Sequence, residues 1–254
     1  MHPMQINPSR FQAAFKAMTV HLGLSLLVAA VVALLVFTLW FPYPYRELAG
    51  GSELFILVMA VDIVCGPLLT FVLYSPTKPR KEMLTDISLI VVIQLLALCY
   101  GIWNVWQIRP LYLVQEADRF NIISRASIDT QMLDALPAEL KSQLFEKPIK
   151  VSLIEISTSE REKLISEMKT GGKDISERPS FYTTYDGAKA FQNAHPLRNL
   201  LRTQPDQKTA VTDLVAATAS KDITLLRYVY VVGRVLWVAV LTSSGEVVGY
   251  IETK

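Results

Sequence analysis

Three long uncharged apolar runs lie before Arg109, and they fix most of what this chain can fold into. They are Ala17 to Tyr45, Leu54 to Tyr74 (interrupted once, by Asp62) and Ile87 to Gln107. A helix crossing about 30 Å of hydrocarbon needs about 20 residues at 1.5 Å each. Hydrocarbon supplies no hydrogen bonds, so a spanning segment must satisfy its backbone internally, as a helix does. The runs therefore predict membrane spans over about residues 18–41, 54–74 and 86–107. A cleaved signal peptide is the rival reading of the first run, but the run exceeds the roughly 7–15 residues of a signal core and ends in aromatics and prolines, so retention is expected. That ending, Trp40 to Tyr45, reads as an interfacial aromatic belt, and Trp103 and Trp106 mark a second.

Basic residues set the expected orientation. Arg10 and Lys16 precede the first span, and Lys78, Arg80 and Lys81 fill the short loop between the second and third. The loop from Arg46 to Glu53 and the third exit hold Arg46 and Arg109 alone. Short cytoplasmic loops are rich in Lys and Arg, so the amino terminus is expected inside and everything after Arg109 outside. In a bacterium this predicts an inner-membrane protein with a periplasmic second half.

That second half is a different material. The chain as a whole is 51% apolar, but the excess is confined to the runs. From Leu111 to Lys254 there are 18 Lys and Arg against 18 Asp and Glu, so no basic field invites nucleic acid. Both cysteines, Cys65 and Cys99, lie in apolar runs, which removes disulfides and thiolate metal sites from the second half.

The expected fold is three transmembrane α-helices (residues 1–110) followed by an exported α+β domain (residues 111–254) with an antiparallel sheet. Ile223 to Val232, Val235 to Thr242 and Glu246 to Glu252 are rich in β-branched and aromatic residues and separated by turns, so they read as successive strands. Leu111 to Gln115 and Arg119 to Ile123 form a further hairpin, and Lys150 to Ile156 alternates as a strand. Helices are expected over 127–144 with a break at Pro137, from a Ser159/Glu162 capping box to Lys169, over 187–202 with a break at Pro196, and over 211–219. Loops and short helices should cover one face of the sheet. The strands between Ile223 and Leu241 are either its core or an exposed edge able to take a partner's strand.

Chemistry concentrates in the second span. An ionised Asp62 at membrane depth costs a few kcal/mol and should face protein. Cys65, Gly66 and Leu69 follow at helical spacing on one face. Gly66 permits close helix approach, and Pro67 cannot donate to the carbonyl of Ile63. Gln94 of the third span reaches a similar depth and can hydrogen-bond Asp62; Ser25 is a more distant polar candidate. Two readings stand side by side: polar glue between the three helices, or a docking point for another protein's membrane helix. A proton pathway lacks a second acid for relay.

No catalytic site is expected. The second half has one histidine, His195, and no cysteine, phosphate loop or nucleophile motif. No metal and no cofactor are expected either.

With these residues in place, the chain resembles the TfpX/TfpZ family of type IV pilin accessory proteins. The resemblance rests on HLGLSL (His21 to Leu26), the aromatic-proline exit with Gly50-Gly51, DIVCGPLLT (Asp62 to Thr70), SPTKPRKEMLTD (Ser75 to Asp86), IQLLALCYGIWNVWQIRP (Ile93 to Pro110) and ADRF (Ala117 to Phe120). It covers roughly the first half; from Asn121 onward only length and character agree. It implies a non-enzymatic membrane protein that stabilises or handles a cognate type IV pilin before assembly. The expected partners are then the pilin's membrane helix and periplasmic head, with Asp62, Cys65, Gly66, Pro67 and Gln94 as the candidate contact set. The rival is a membrane-anchored sensor or transporter subunit whose exported domain binds a small molecule.

Overall fold

The computed structural model describes residues 8–142, 147–218 and 221–253. The start of the basic amino-terminal segment, the end of the expected 127–144 helix and Ala219 lie outside the described residues. The chain divides into two compact units, Met1–Thr38 with Gly51–Trp106 and Leu39–Gly50 with Gln107–Lys254.

The first unit contains three helices long and apolar enough to cross a membrane. Helix α1 (Pro8–Leu35) continues through a π-helical turn, Val36–Trp40. After the short α2 (Tyr45–Leu48) come α3 (Gly51–Leu73) and α4 (Arg80–Gln107). α1 and α3 are antiparallel neighbours, held by edge-to-face ring contacts between Phe11 and Phe71 (5.4 Å) and between Phe37 and Phe55 (5.0 Å). α4 meets α3 where glycines remove bulk: Gly101 faces Val58 and Gly66 faces Gln94, each too close to admit a Cβ. Outward positions such as Leu57, Leu68, Leu89 and Leu96 are apolar and exposed, as a hydrocarbon solvent requires.

The second unit is a sheet with helices on both faces. Among the described residues its strands are β1 (Pro110–Glu116), β2 (Arg119–Ser124), β3 (Ile149–Leu153), β4 (Tyr182–Thr184), β5 (His195–Pro196), β6 (Arg227–Val232), β7 (Leu236–Leu241) and β8 (Val247–Glu252). Their order is β4-β3-β1-β2-β6-β7-β8, with β5 also paired to β6. The sheet is mixed, which corrects the antiparallel expectation. The β1–β2 hairpin sits centrally, β1 pairs in parallel with β3 and β2 in parallel with β6. Both parallel pairings need long crossovers, which the segment between Arg125 and Leu226 supplies with its short helices. β6 and β7 are interior and β8 is an edge, so the long apolar strands are core, not a free edge.

Alternation along the strands splits the core. Val229, Val231, Trp237, Ala239 and Leu241 face Ala190 and Ala194 around α7 (Gly187–Asn193). Tyr228, Val238, Val240 and Ile251 face Leu197 and Leu200 of α8 (Leu197–Thr203) and Val211 of α9 (Lys208–Ala217). Both faces are therefore covered, not one. Pro196 does separate α7 from α8, with the β5 pairing placed at the break. The 127–144 helix reduces to α5 (Thr130–Asp134) flanked by 3-10 turns, Pro137 preventing continuation. In α6 (Thr158–Lys169) the cap is Ser157, whose Oγ accepts Glu160 N–H at 3.3 Å, two residues before the expected Ser159; Gly171, at φ 91°, ends it.

The least expected part of this core comes from between the first two long helices. Leu48 is wholly buried and Tyr45 nearly so, both in the cluster with Trp237 and Val229. The β6–β7 turn fastens the segment: Arg234 N–H donates to Leu48 O at 2.7 Å, and Gly233 lies so close to that carbonyl that no side chain would fit. A segment that reads as a short connection is thus a component of the sheet domain.

Several tyrosines give this domain a pH signature. Burial raises Tyr45 and Tyr182 above the ordinary value near 10, raises Tyr185 to about 12, and raises Tyr228, with help from a hydrogen bond to Tyr230, to about 12. The folded state holds these protons more tightly than the unfolded chain, so their contribution is complete below pH 10 and is lost as pH rises towards 12. Tyrosinate absorbance should therefore appear in a cooperative step, together with loss of near-UV ellipticity, above about pH 11. A gradual titration centred at 10 with ellipticity intact would contradict the burial described.

Candidate functional site

The candidate site lies inside the three-helix unit. Asp62 is at the middle of α3, about 16 Å from either end at 1.5 Å per residue, and Gln94 is at the middle of α4. Gln94 Nε2 donates to the main-chain oxygen of Asp62 at 3.0 Å. The sequence expectation of an Asp62–Gln94 hydrogen bond holds for the backbone, not the carboxylate. Gly66 explains the geometry: its missing side chain leaves the space that the Gln94 amide fills, one turn from the carbonyl it bonds.

The candidate residues differ in exposure, although Asp62, Cys65, Gly66 and Leu69 recur at helical spacing along one side of α3. Gly66 and Pro67 are buried among the helices, and Asp62 and Gln94 are half-buried. Cys65 and Leu69, by contrast, are exposed. In the loop before α4, Lys78 Nζ pairs with Asp86 at 2.6 Å, while Arg80 and Lys81 at the start of α4 are exposed.

An open cavity of about 110 Å³ lies between the three helices, with Asp62 on its wall. Leu24, Val28, Met59, Val91 and Leu95 make it apolar, and His21, Ser25 and Gln94 join Asp62 as its polar groups. His21 Nδ1 and Thr70 Oγ1 are hydrogen-bonded at 2.5 Å, linking α1 to α3. Among the described residues, no hydrogen bond or ion pair reaches the Asp62 carboxylate. Gln94 and His21 are thus engaged in holding the helices together, whereas the Asp62 carboxylate has no partner among the described residues. His21 and Thr70 escaped the sequence reading as site residues. The available signal was a histidine in an otherwise uncharged apolar run, where polar groups mark sites by default.

In chemical terms the arrangement is an apolar groove with one half-buried acid at the middle of α3, its carboxylate without a partner among the described residues. It suits recognition of a hydrogen-bond donor carried on an apolar partner. Together, the long apolar helices and the mixed-sheet domain define a class: a membrane-type anchor carrying a folded domain. Comparison with known proteins narrows it. Residues 9–50, which comprise α1 and the segment through α2, match the family described as fimbrial assembly protein FimB. The chain is 36% identical over 216 residues to a fimbrial assembly protein of serogroup I from Dichelobacter nodosus, covering 81% of this chain and 83% of the relative. It is 45% identical over 132 residues to the serogroup C1 and C2 protein from the same organism, covering 52% of this chain and 98% of the relative. No solved structure matches significantly. The chain belongs to the fimbrial assembly protein family, and its role lies in pilus biogenesis.

Proposed function

We propose that this chain is a non-enzymatic accessory protein of the TfpX/TfpZ kind that stabilises a cognate type IV pilin before it enters the pilus. It sits in the bacterial inner membrane, amino terminus in the cytoplasm and sheet domain in the periplasm. α1, α3 and α4 span the bilayer, and the pilin's apolar helix docks against the groove at Asp62 while the sheet domain meets the pilin head. The observation that carries this reading is the Asp62 carboxylate, without a partner among the described residues, on an apolar groove at the middle of α3. An acid so placed costs several kcal/mol unless a partner satisfies it, which is the energetic ground for a docking role over simple helix glue. Family membership supports it from a separate direction. The exposed basic residues Arg80 and Lys81 at the start of α4 support the orientation.

Deleting the gene and measuring the cognate pilin separately from surface pili tests the proposal. A stabilising accessory protein leaves less pilin in the membrane as well as fewer fibres. An unchanged pilin pool with pili absent would place the chain at a later step and sink the stabilisation role.

A further inference from the structure

We infer that the sheet domain carries a second binding site, remote from the helix groove in sequence and independent of it in argument: a cleft at the carboxyl ends of β1 and β3 that takes an acidic segment of another protein. Because these strands run in parallel, Gln115 paired with Ser152, their carboxyl ends open together. Ligand crevices in sheets with parallel strands form at such ends. Here the opening is a cleft of about 450 Å³, within the range of small-ligand sites.

Its floor is polar, buried and already satisfied. With the Gln115 amide oriented to suit both ends, Nε2 donates to Ser152 Oγ at 2.6 Å and Oε1 accepts Ala190 N–H at 2.9 Å. Ser152 Oγ also accepts Asp186 N–H at 2.9 Å. The floor is rigid and leaves selection to the walls. Four charged side chains besides Lys189 line them, and their pairing is unequal. Glu116 accepts from Asn121 Nδ2 at 2.7 Å, and Glu155 is paired with Lys189 at 2.8 Å. Arg119 of β2 and Arg161 of α6 are exposed and have no side-chain partner among the described residues. Asn121 is neutral and leaves the Glu116 charge in place, so the lining carries three cations against two carboxylates, a net of +1, and its two guanidiniums are the groups with no side-chain partner among the described residues.

Guanidinium is planar and forked, so it matches carboxylate with two parallel hydrogen bonds. Ile154, 44% exposed, and Ile156 line the same cleft and offer apolar surface beside the cations. A lone phosphate would leave that wall unused. A peptide stretch in which carboxylates alternate with aliphatic side chains uses both.

The test uses the full chain in detergent or nanodiscs and a fluorescent peptide alternating glutamate and leucine. The peptide is expected to bind, and the double substitution Arg119→Glu with Arg161→Glu to weaken it at least about tenfold. Arg198→Glu, an exposed arginine on α8, should leave binding unchanged. A peptide alternating lysine and leucine should bind the doubly reversed variant in place of the wild type. Equal binding of a glutamine-for-glutamate peptide, displacement by inorganic phosphate at equal concentration, undiminished affinity of the double variant, or failure of the glutamate peptide to bind would each overturn the inference. Both arginines are exposed, so circular dichroism of the variants should match the parent.

Discussion

A fragment starting at Gln107 should fail to fold as a stable domain, although it contains every strand of the sheet. The missing piece is Leu39–Gly50, which belongs to the same compact unit. Without it the cluster of Val229, Val231, Trp237 and Leu113 loses the wholly buried Leu48 and the nearly buried Tyr45. Truncating a buried leucine or large aromatic costs about 2–5 kcal/mol each, so both together remove on the order of 6 kcal/mol. A domain of this size holds roughly 5–15 kcal/mol in total, so the loss removes much or all of it. Urea unfolding and proteolysis of the fragment should show an open, protease-sensitive chain. In the full chain, Leu48→Ala alone should cost about 3 kcal/mol and expose the sheet domain to protease, whereas Arg46→Ala, an exposed neighbour on α2, should leave protease resistance unchanged. A fragment that folds cooperatively with native stability would show that the segment merely rests on the sheet.

This packing also bears on topology. With three spans, the connection after the first and the chain after the third must lie on one side of the membrane. A single domain built from Leu39–Gly50 and Gln107 onward is compatible with that requirement, which holds whenever α3 and α4 both cross.

How much of this was legible in the sequence follows the range of the interactions involved. The long helices were, because membrane-length apolar runs have few other solutions. So were β6, β7 and β8, whose partners are sequence neighbours joined by tight turns. The β1–β3 and β2–β6 pairings join residues far apart in the chain, and strands buried on both faces carry no alternation to betray their order. Hence the sheet's mixed character was not legible. Tyr45 to Leu48 was not either, because four residues between two spans look alike whether they contact water or Trp237. Within the site, residue type and depth identified Asp62, Gly66 and Gln94 as a group. Which oxygen of Asp62 receives the Gln94 amide depends on side-chain direction, and that requires the packed helices.

Replacing Asp62 by leucine should separate structure from function more sharply than any other single change. An acid at the centre of a spanning helix opposes insertion by about 3 kcal/mol, and leucine favours it by a few tenths. The carboxylate makes no bond to any described residue, so nothing inside the chain is lost with it. The Gln94 contact survives, since it uses the backbone oxygen at 62. Asp62→Leu should therefore accumulate at least as well as the parent while pilin no longer co-purifies with it and surface pili fall as far as in the deletion. Asp62→Asn retains an oxygen acceptor in the same place and should fall between the two. Gln94→Leu is the contrasting case: it removes an interhelical hydrogen bond worth about 1 kcal/mol in a membrane and should loosen α4, lowering thermal stability before it affects capture. If Asp62→Leu keeps its pilin, the acid is not the docking group, and if the variant is degraded, Asp62 holds the helices together through contacts other than those described.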